Sequence, residues 1–286
     1  MKPRPNTKYR KIITLSSIDG IFSAGLIKRI YDLPHCFKFR VQRASRAILL
    51  GIPIADNAEV NQCFIIDNTH CLSGLSYRGS NITLCDDKYG SATDIIVDIF
   101  GLEIPEKYLN AVFDSTIGDI SSEISKQMYI SLLLSTIHER KNLVDLIKNR
   151  KWNKIDEWIA TKTKGSLYQA IIERTDSLLR KAKKFIRGVN ILKFQVSNQI
   201  DRISVRPALL YLKDVSKIAI GIGINKNGII TRCYLFSNRP LIKIGKILEQ
   251  QGFIPITRKH SIIILSVDMD YNNFVEILRT IIRKSL

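Results

Sequence analysis

Four aspartates, Asp19, Asp56, Asp67 and Asp119, each stand close behind apolar residues, where a strand would end. A carboxylate there has two uses. It can accept hydrogen bonds from the first turn of a following helix, or it can converge with other carboxylates and imidazoles on a metal ion. Taken alone, each reads as a helix cap. Asn68, Thr69 and His70 follow Asp67 directly, and His70 by itself reads as a satisfied polar residue. His35-Cys36 and His70-Cys71 bring imidazole and thiol together in sequence, but neighbours on a strand point to opposite faces and do not share a tetrahedral zinc site. Five cysteines without a CxxC pair are expected to be buried free thiols.

The second kind of chemistry is electrostatic. With 44 Lys plus Arg against 26 Asp plus Glu, the chain carries +18. Such an excess favours a polyanion, and nucleic acid above all, because each neutralised phosphate releases counterions. A Lys- and Ile-rich source whose lysines are simply solvated is the alternative. Residues 126–187 alone contain 15 basic and 6 acidic side chains, half of the excess. There, Arg180, Lys181, Lys183, Lys184 and Arg187 form a ladder on an expected helix Ser166–Arg187, either a solvated face or a surface that tracks phosphates. Trp152 and Trp158 sit among basic residues and read as packing positions of an amphipathic helix rather than as base-stacking rings.

What must position these groups is an alternation of elements. A basic arm, residues 1–10, precedes a short strand Lys11–Leu15, a turn and a helix Ile21–Tyr31. Short strands follow at Ile52–Ala55 and Cys63–Ile66, then a helix Ser91–Phe100 with Ser91 as N-cap and Asp94 at its third helical position. Strand and helix in alternation predict an α/β domain with a parallel sheet, whose ligands bind at the carboxyl ends of the strands. Helical patterns then dominate, including Ile124–Lys148 and Lys154–Thr161. The last hundred residues read as strands at 191–196, 207–212, 217–224, 229–236 and 260–267, with a hairpin turn Asn225-Lys226-Asn227-Gly228 and helices 241–250 and 272–284. The expected organisation is a basic arm (1–10), a parallel-sheet domain (11–120), a basic helical connector (121–188) and a smaller α/β domain (189–286).

Several landmarks fall in a recognisable order. They are Ser17-Ile18-Asp19-Gly20-Ile21-Phe22-Ser23-Ala24, Ala55-Asp56-Asn57-Ala58, Ile65-Ile66-Asp67-Asn68-Thr69-His70, Tyr89-Gly90-Ser91-Ala92-Thr93-Asp94, Ile117-Gly118-Asp119, Ser237-Asn238-Arg239 and Gln250-Gln251-Gly252-Phe253. Together they resemble the DHH phosphoesterase superfamily, which includes RecJ-type single-strand exonucleases and oligonucleotide phosphatases. The resemblance implies an N-terminal DHH-like domain, a helical connector and a C-terminal DHHA1-like domain. It also implies a site where carboxylates and histidines hold two divalent ions that activate water. At Ser17 the family has an aspartate, at Asn68 and Thr69 it has histidines, and at residues 250–253 it has a GGGH loop. Neutral Ser, Asn and Thr oxygens bind such ions weakly, so Ser17, Asp19, Asp56, Asp67, Asn68, Thr69 and Asp119 read as a vestigial pocket with no catalytic residue and no metal.

A RecJ-like chain of this kind resembles the cell division control protein 45 family in its archaeal form. The resemblance implies a catalytically inactive replication factor that associates with the GINS complex and the MCM helicase and binds or guides single-stranded DNA, intracellular at the nucleoid or replication fork. It needs no cofactor and no membrane. Arg180, Lys181, Lys183, Lys184, Arg187 and Arg239 are the expected nucleic-acid contacts. The competing expectation is a divergent Mn²⁺- or Mg²⁺-dependent nuclease or oligonucleotide phosphatase using Asp19, Asp56, Asp67 and Asp119.

Overall fold

The structure is a computed structural model that describes residues 8–67, 74–78, 80–85, 88–117, 119–257 and 260–285. It divides into two units, Met1–Thr163 and Lys164–Leu286.

The first unit begins with β1 (Lys11–Thr14), α1 (Ile18–Tyr31), β2 (His35–Phe37), β3 (Val41–Ser45), β4 (Ala47–Leu50), β5 (Ile54–Asn61), β6 (Phe64–Asp67), β7 (Gly74–Arg78) and β8 (Asn81–Cys85). The helices α2 (Ala92–Phe100), α3 (Glu106–Ile117), α4 (Glu123–Leu133), α5 (Ile137–Lys148) and α6 (Trp152–Thr163) complete it. Its sheet runs β2-β1-β4-β6-β8-β7, parallel except for β7. Alternation along the strands sorts the core onto two faces. Ile12, Ile48, Leu50, Phe64 and Ile66 pack with apolar residues of α1 and α2, such as Ile21 and Ile95. Ile13, Ala47, Leu49 and Cys63 pack instead with Val41, Ala44 and Ile52, around the parallel pair β3–β5. At roughly 1.5–3 kcal/mol for each fully buried aliphatic side chain, these faces are what hold the strand ends in register.

The helical run expected over 124–148 is two helices. Thr136 stops the first and starts the second through a capping box: its Oγ1 accepts from the Glu139 N–H (3.2 Å) and the Glu139 carboxylate accepts from the Thr136 N–H (2.7 Å).

The second unit comprises α7 (Ser166–Arg180), β9 (Lys183–Ile186), β10 (Val189–Gln195), α8 (Gln199–Val215), β11 (Ile218–Ile224), β12 (Ile229–Ser237), α9 (Ile242–Gln250), β13 (Pro255–Thr257), β14 (Ser261–Ile264), β15 (Met269–Asp270) and α10 (Tyr271–Ser285). Its sheet is ordered β13-β14-β12-β11-β10-β9, with β15 on β12. β10 and β11 are parallel and joined through α8, and the other pairs are antiparallel. Leu192 and Phe194 share a core with Leu178, Val205 and Leu209 of α7 and α8, while Val189, Ile191 and Ile220 share one with Leu248, Phe274 and Leu278 of α9 and α10. Arg174 of α7 grips Asp201 of α8 through two bonds of 2.7 and 2.9 Å.

Two expectations fail here. Residues 207–212 lie inside α8, not in a strand: Val205, Ala208, Leu209 and Leu212 fall at helical spacing, and burying that stripe outweighs the N–H that Pro207 lacks. The basic ladder is not one helix either. α7 stops at Arg180, and Lys183–Ile186 is an edge strand that turns into β10 through Gly188, whose φ of 77° suits glycine.

Candidate functional site

The strand ends of the first unit's sheet collect several polar groups. At the end of β1, Thr14 Oγ1 donates to the Leu50 carbonyl at 3.0 Å, binding the ends of β1 and β4 together. Ser17 is the N-cap of α1 and its hydroxyl accepts from the Gly20 N–H at 3.2 Å. Gly20 is required by packing, since a Cβ there would lie 2.2 Å from the Leu15 carbonyl oxygen.

Asp19, in the first turn of α1, reaches across to the start of α2. Its Oδ1 accepts from the Thr93 N–H (2.9 Å), the Thr93 hydroxyl (2.7 Å) and the Ser23 hydroxyl (3.2 Å), and its Oδ2 lies 3.4 Å from the Ala92 nitrogen. A carboxylate is favoured there, because the first N–H groups of a helix carry partial positive charge. Ser23 and Thr93 are wholly buried. Gly51, in the left-handed region at φ 49°, closes the other side; a Cβ on it would come within 3.2 Å of Asp19 Oδ2.

Beside Asp19 sits Asp94, whose N–H donates to the N-cap hydroxyl of Ser91 at 3.0 Å. Burial pushes the Asp94 carboxyl up from its ordinary range. The Ser91 hydroxyl opposes that rise, and the negative charge of Asp19 adds to it. Asp67, half-buried, ends β6 at the same carboxyl end of the sheet, paired with Cys85 of β8.

The remaining expected ligands are placed otherwise. Asp119 serves the turn between α3 and α4, its Oδ1 accepting from the Ser121 N–H at 2.8 Å. Asp56 lies within β5, which runs through residues 54–61 instead of stopping at 55; its side chain, with Asn68, Thr69 and His70, lies outside the described residues. Among the described residues, no three His, Cys, Asp or Glu side chains form a group able to hold a metal ion. The cysteine expectation holds for Cys63 and Cys233, which are buried and free, holds only in part for Cys36, which is free but partly exposed, and fails for Cys85, which is disulfide-bonded.

Sequence reasoning missed Arg140. From α5, its guanidinium donates to the Ser16 hydroxyl (3.1 Å) in the loop after β1 and to the Leu132 carbonyl (2.8 Å) and the Ser135 hydroxyl (3.0 Å). A fixed cation thus stands next to Ser17. Nothing in its local sequence signals a partner 124 positions away.

In the second unit, Arg180, Lys181, Lys183, Lys184, Arg187 and Arg239 are all exposed. The first two end α7, the next two lie on β9, Arg187 is in the turn before β10, and Arg239 follows β12 with its N–H donating to Ser237 Oγ at 2.9 Å. Two further cations, Lys193 and Arg279, stand over the rings of Tyr271 and Phe185 at 3.4 and 5.2 Å from their centroids. Burial raises the Tyr271 hydroxyl pKa, against the opposing charges of Lys183 and Arg279. Trp152 packs on Tyr108 at 5.5 Å between centroids, and Trp158 lines the apolar core, as expected of packing positions.

No family model and no curated protein matches the chain. Solved structures do. The chain is similar to the pGpG-specific phosphodiesterase PggH from Vibrio cholerae, at 14% identity over 95% of this chain and 98% of that one, with a TM-score of 0.57. It is similar to Mn²⁺-bound RecJ from Thermus thermophilus, at 9% identity over 99% of this chain, with a TM-score of 0.58, and spans about half (52%) of that protein's length. An exopolyphosphatase-related protein from Bacteroides fragilis matches at 10% identity over 97% of this chain and 92% of that one, with a TM-score of 0.51. At these identities the likeness is one of fold: the chain has the RecJ-like DHH fold. No described helix is long and apolar enough to cross a membrane.

Proposed function

From the RecJ-like fold as premise, we propose that this chain is a non-hydrolytic binding protein for single-stranded nucleic acid, working as a replication factor with the GINS complex and the MCM helicase. The observation that carries the non-hydrolytic part is the commitment of Asp19. Its Oδ1 already accepts three hydrogen bonds, from Thr93 and Ser23, and the Ser17 hydroxyl accepts from Gly20. With Asp119 used in a turn as well, the described donors do not fit a pair of divalent ions. The neutral Asn68 and Thr69, where the resemblance calls for imidazoles, point the same way.

The net charge of +18 supports a polyanionic ligand, and the exposed basic residues of α7 and β9 are its proposed contacts. Replacing Arg180, Lys181, Lys183, Lys184 and Arg187 with alanine is expected to flatten the salt dependence of single-strand binding, by about 0.7 in log–log slope for each phosphate that is no longer neutralised. An unchanged slope removes these residues from the interface. The GINS and MCM assignment rests on the sequence resemblance, and its test is affinity capture with the purified partners; failure to retain either one defeats it.

A second reading is favoured by Asp19, Asp94 and Asp67 sharing one end of the sheet, together with near full-length similarity to a phosphodiesterase. It makes the chain a Mn²⁺-dependent nuclease or oligonucleotide phosphatase. Metal-dependent shortening of a labelled strand, or cleavage of pGpG, lost on Asp67→Ala, would establish this reading in place of the first.

A further inference from the structure

Phe39 is 72% exposed. An aromatic ring left in water forgoes the gain that burial would bring, and here it is flanked by Lys38 and Arg40, both exposed. The three residues follow β2, and the Lys38 N–H donates to the Thr14 carbonyl at 2.9 Å, which fixes the tripeptide beside the end of β1. They therefore stand on the same edge of the sheet as Ser17 and Asp19.

A second aromatic group stands at the far end of that edge. Behind β8 come Lys88, Tyr89 and Gly90, with the Lys88 ammonium 4.6 Å from the Tyr89 ring centroid. Phe113 of α3, 42% exposed, lies so close to Gly90 that a Cβ on the glycine would fall 2.3 Å from its ring. The Tyr89 hydroxyl donates to Asp98, which fixes its ring. From β2 to β8 there are four strand spacings, about 19 Å in all. That span matches about five to six steps of a stacked nucleic-acid strand.

Resting on the single-strand reading above, we propose that Phe39 is a base-stacking platform, with Lys38 and Arg40 taking the neighbouring phosphates, and that Phe113 receives a second base beside Tyr89 and Lys88. The strand then lies along the carboxyl edge of the sheet, across the vestigial pocket. Aromatic stacking accepts any base, and the cations accept any phosphate, so the site reads length and single-strandedness rather than sequence.

The test is fluorescence anisotropy with a labelled hexanucleotide, its abasic counterpart, and the variants Phe39→Ala and Phe39→Tyr. Phe39→Ala is expected to weaken binding of the hexanucleotide on the order of tenfold, and Phe39→Tyr to retain it. The abasic strand should bind wild type and Phe39→Ala alike. Wild-type affinity in Phe39→Ala overturns the platform while leaving the single-strand reading intact. Absence of binding by the wild-type chain overturns both. As Phe39 is mostly exposed, loss of folding is not expected, and circular dichroism of each variant checks it.

Discussion

Asp19 and Thr93 are joined twice, once through the Thr93 backbone N–H at 2.9 Å and once through its hydroxyl at 2.7 Å, so one carboxylate ties the first turn of α1 to the first turn of α2. The residue that the resemblance casts as a metal ligand is structurally a helix cap, supplied across 74 positions of sequence.

Asp19→Asn exchanges a charged acceptor for a neutral amide at a helix N-terminus and leaves one buried donor poorly matched. It is expected to lower the unfolding free energy by about 1–3 kcal/mol. Urea denaturation measures this, and an unchanged midpoint would remove the cap from the account.

The Asp94 carboxyl ionises later in the folded chain than in the unfolded one. A group with a raised folded-state pKa contributes stability that is complete below its ordinary range, near 4, and is lost as pH rises through the raised value. Asp94→Asn has no such loss. The variant is therefore expected to gain on wild type between pH 4 and pH 7, read as the difference in urea midpoints. A difference independent of pH would contradict the assignment.

Gly25 lies where α1 crosses α5, and a Cβ added to it would fall 2.6 Å from Ile147 Cβ. Gly25→Ala gains about 1 kcal/mol of helix preference and costs about 1–3 kcal/mol of overpacking. The crowding atom belongs to the stem of Ile147, which cannot swing away, so the balance is a net loss. Thermal melting is expected to show a lower midpoint; a higher one would mean the two helices can part at no cost.

Asp201 is 1% exposed and held by both bonds from Arg174. Truncating the arginine strands a buried carboxylate. Arg174→Ala is expected to lose about 3 kcal/mol or more, and the double variant Arg174→Ala, Asp201→Ala to recover part of it. Chemical denaturation of the four chains in a cycle gives the coupling, and additive losses would dissolve the pair.

Local chemistry made part of this legible in the sequence. The Ser91 cap and its bond to the Asp94 N–H stand as read, because cap, acid and apolar stripe lie within one turn. Residues 207–212 differ from the expected strand because the spacing of Val205, Ala208, Leu209 and Leu212 carries the helical period across Pro207, and a short aliphatic run suits either element. Lys183–Ile186 continued a helical pattern on paper, and the pairing partner that made it a strand sits beyond the turn at Gly188. The Asp19–Thr93 and Arg140–Ser16 bonds were not legible at all. Each joins residues whose proximity is a product of the fold, and no periodicity encodes which distant backbone group a side chain will meet.

Lys164 and Gly165 lie between α6 and α7, and Gly165 caps the latter without a side-chain bond. Among the described residues, a nick at this join interrupts no strand, for each half retains the partners its own strands hydrogen-bond. A gene split at this point would leave each described pair of strands encoded within one product.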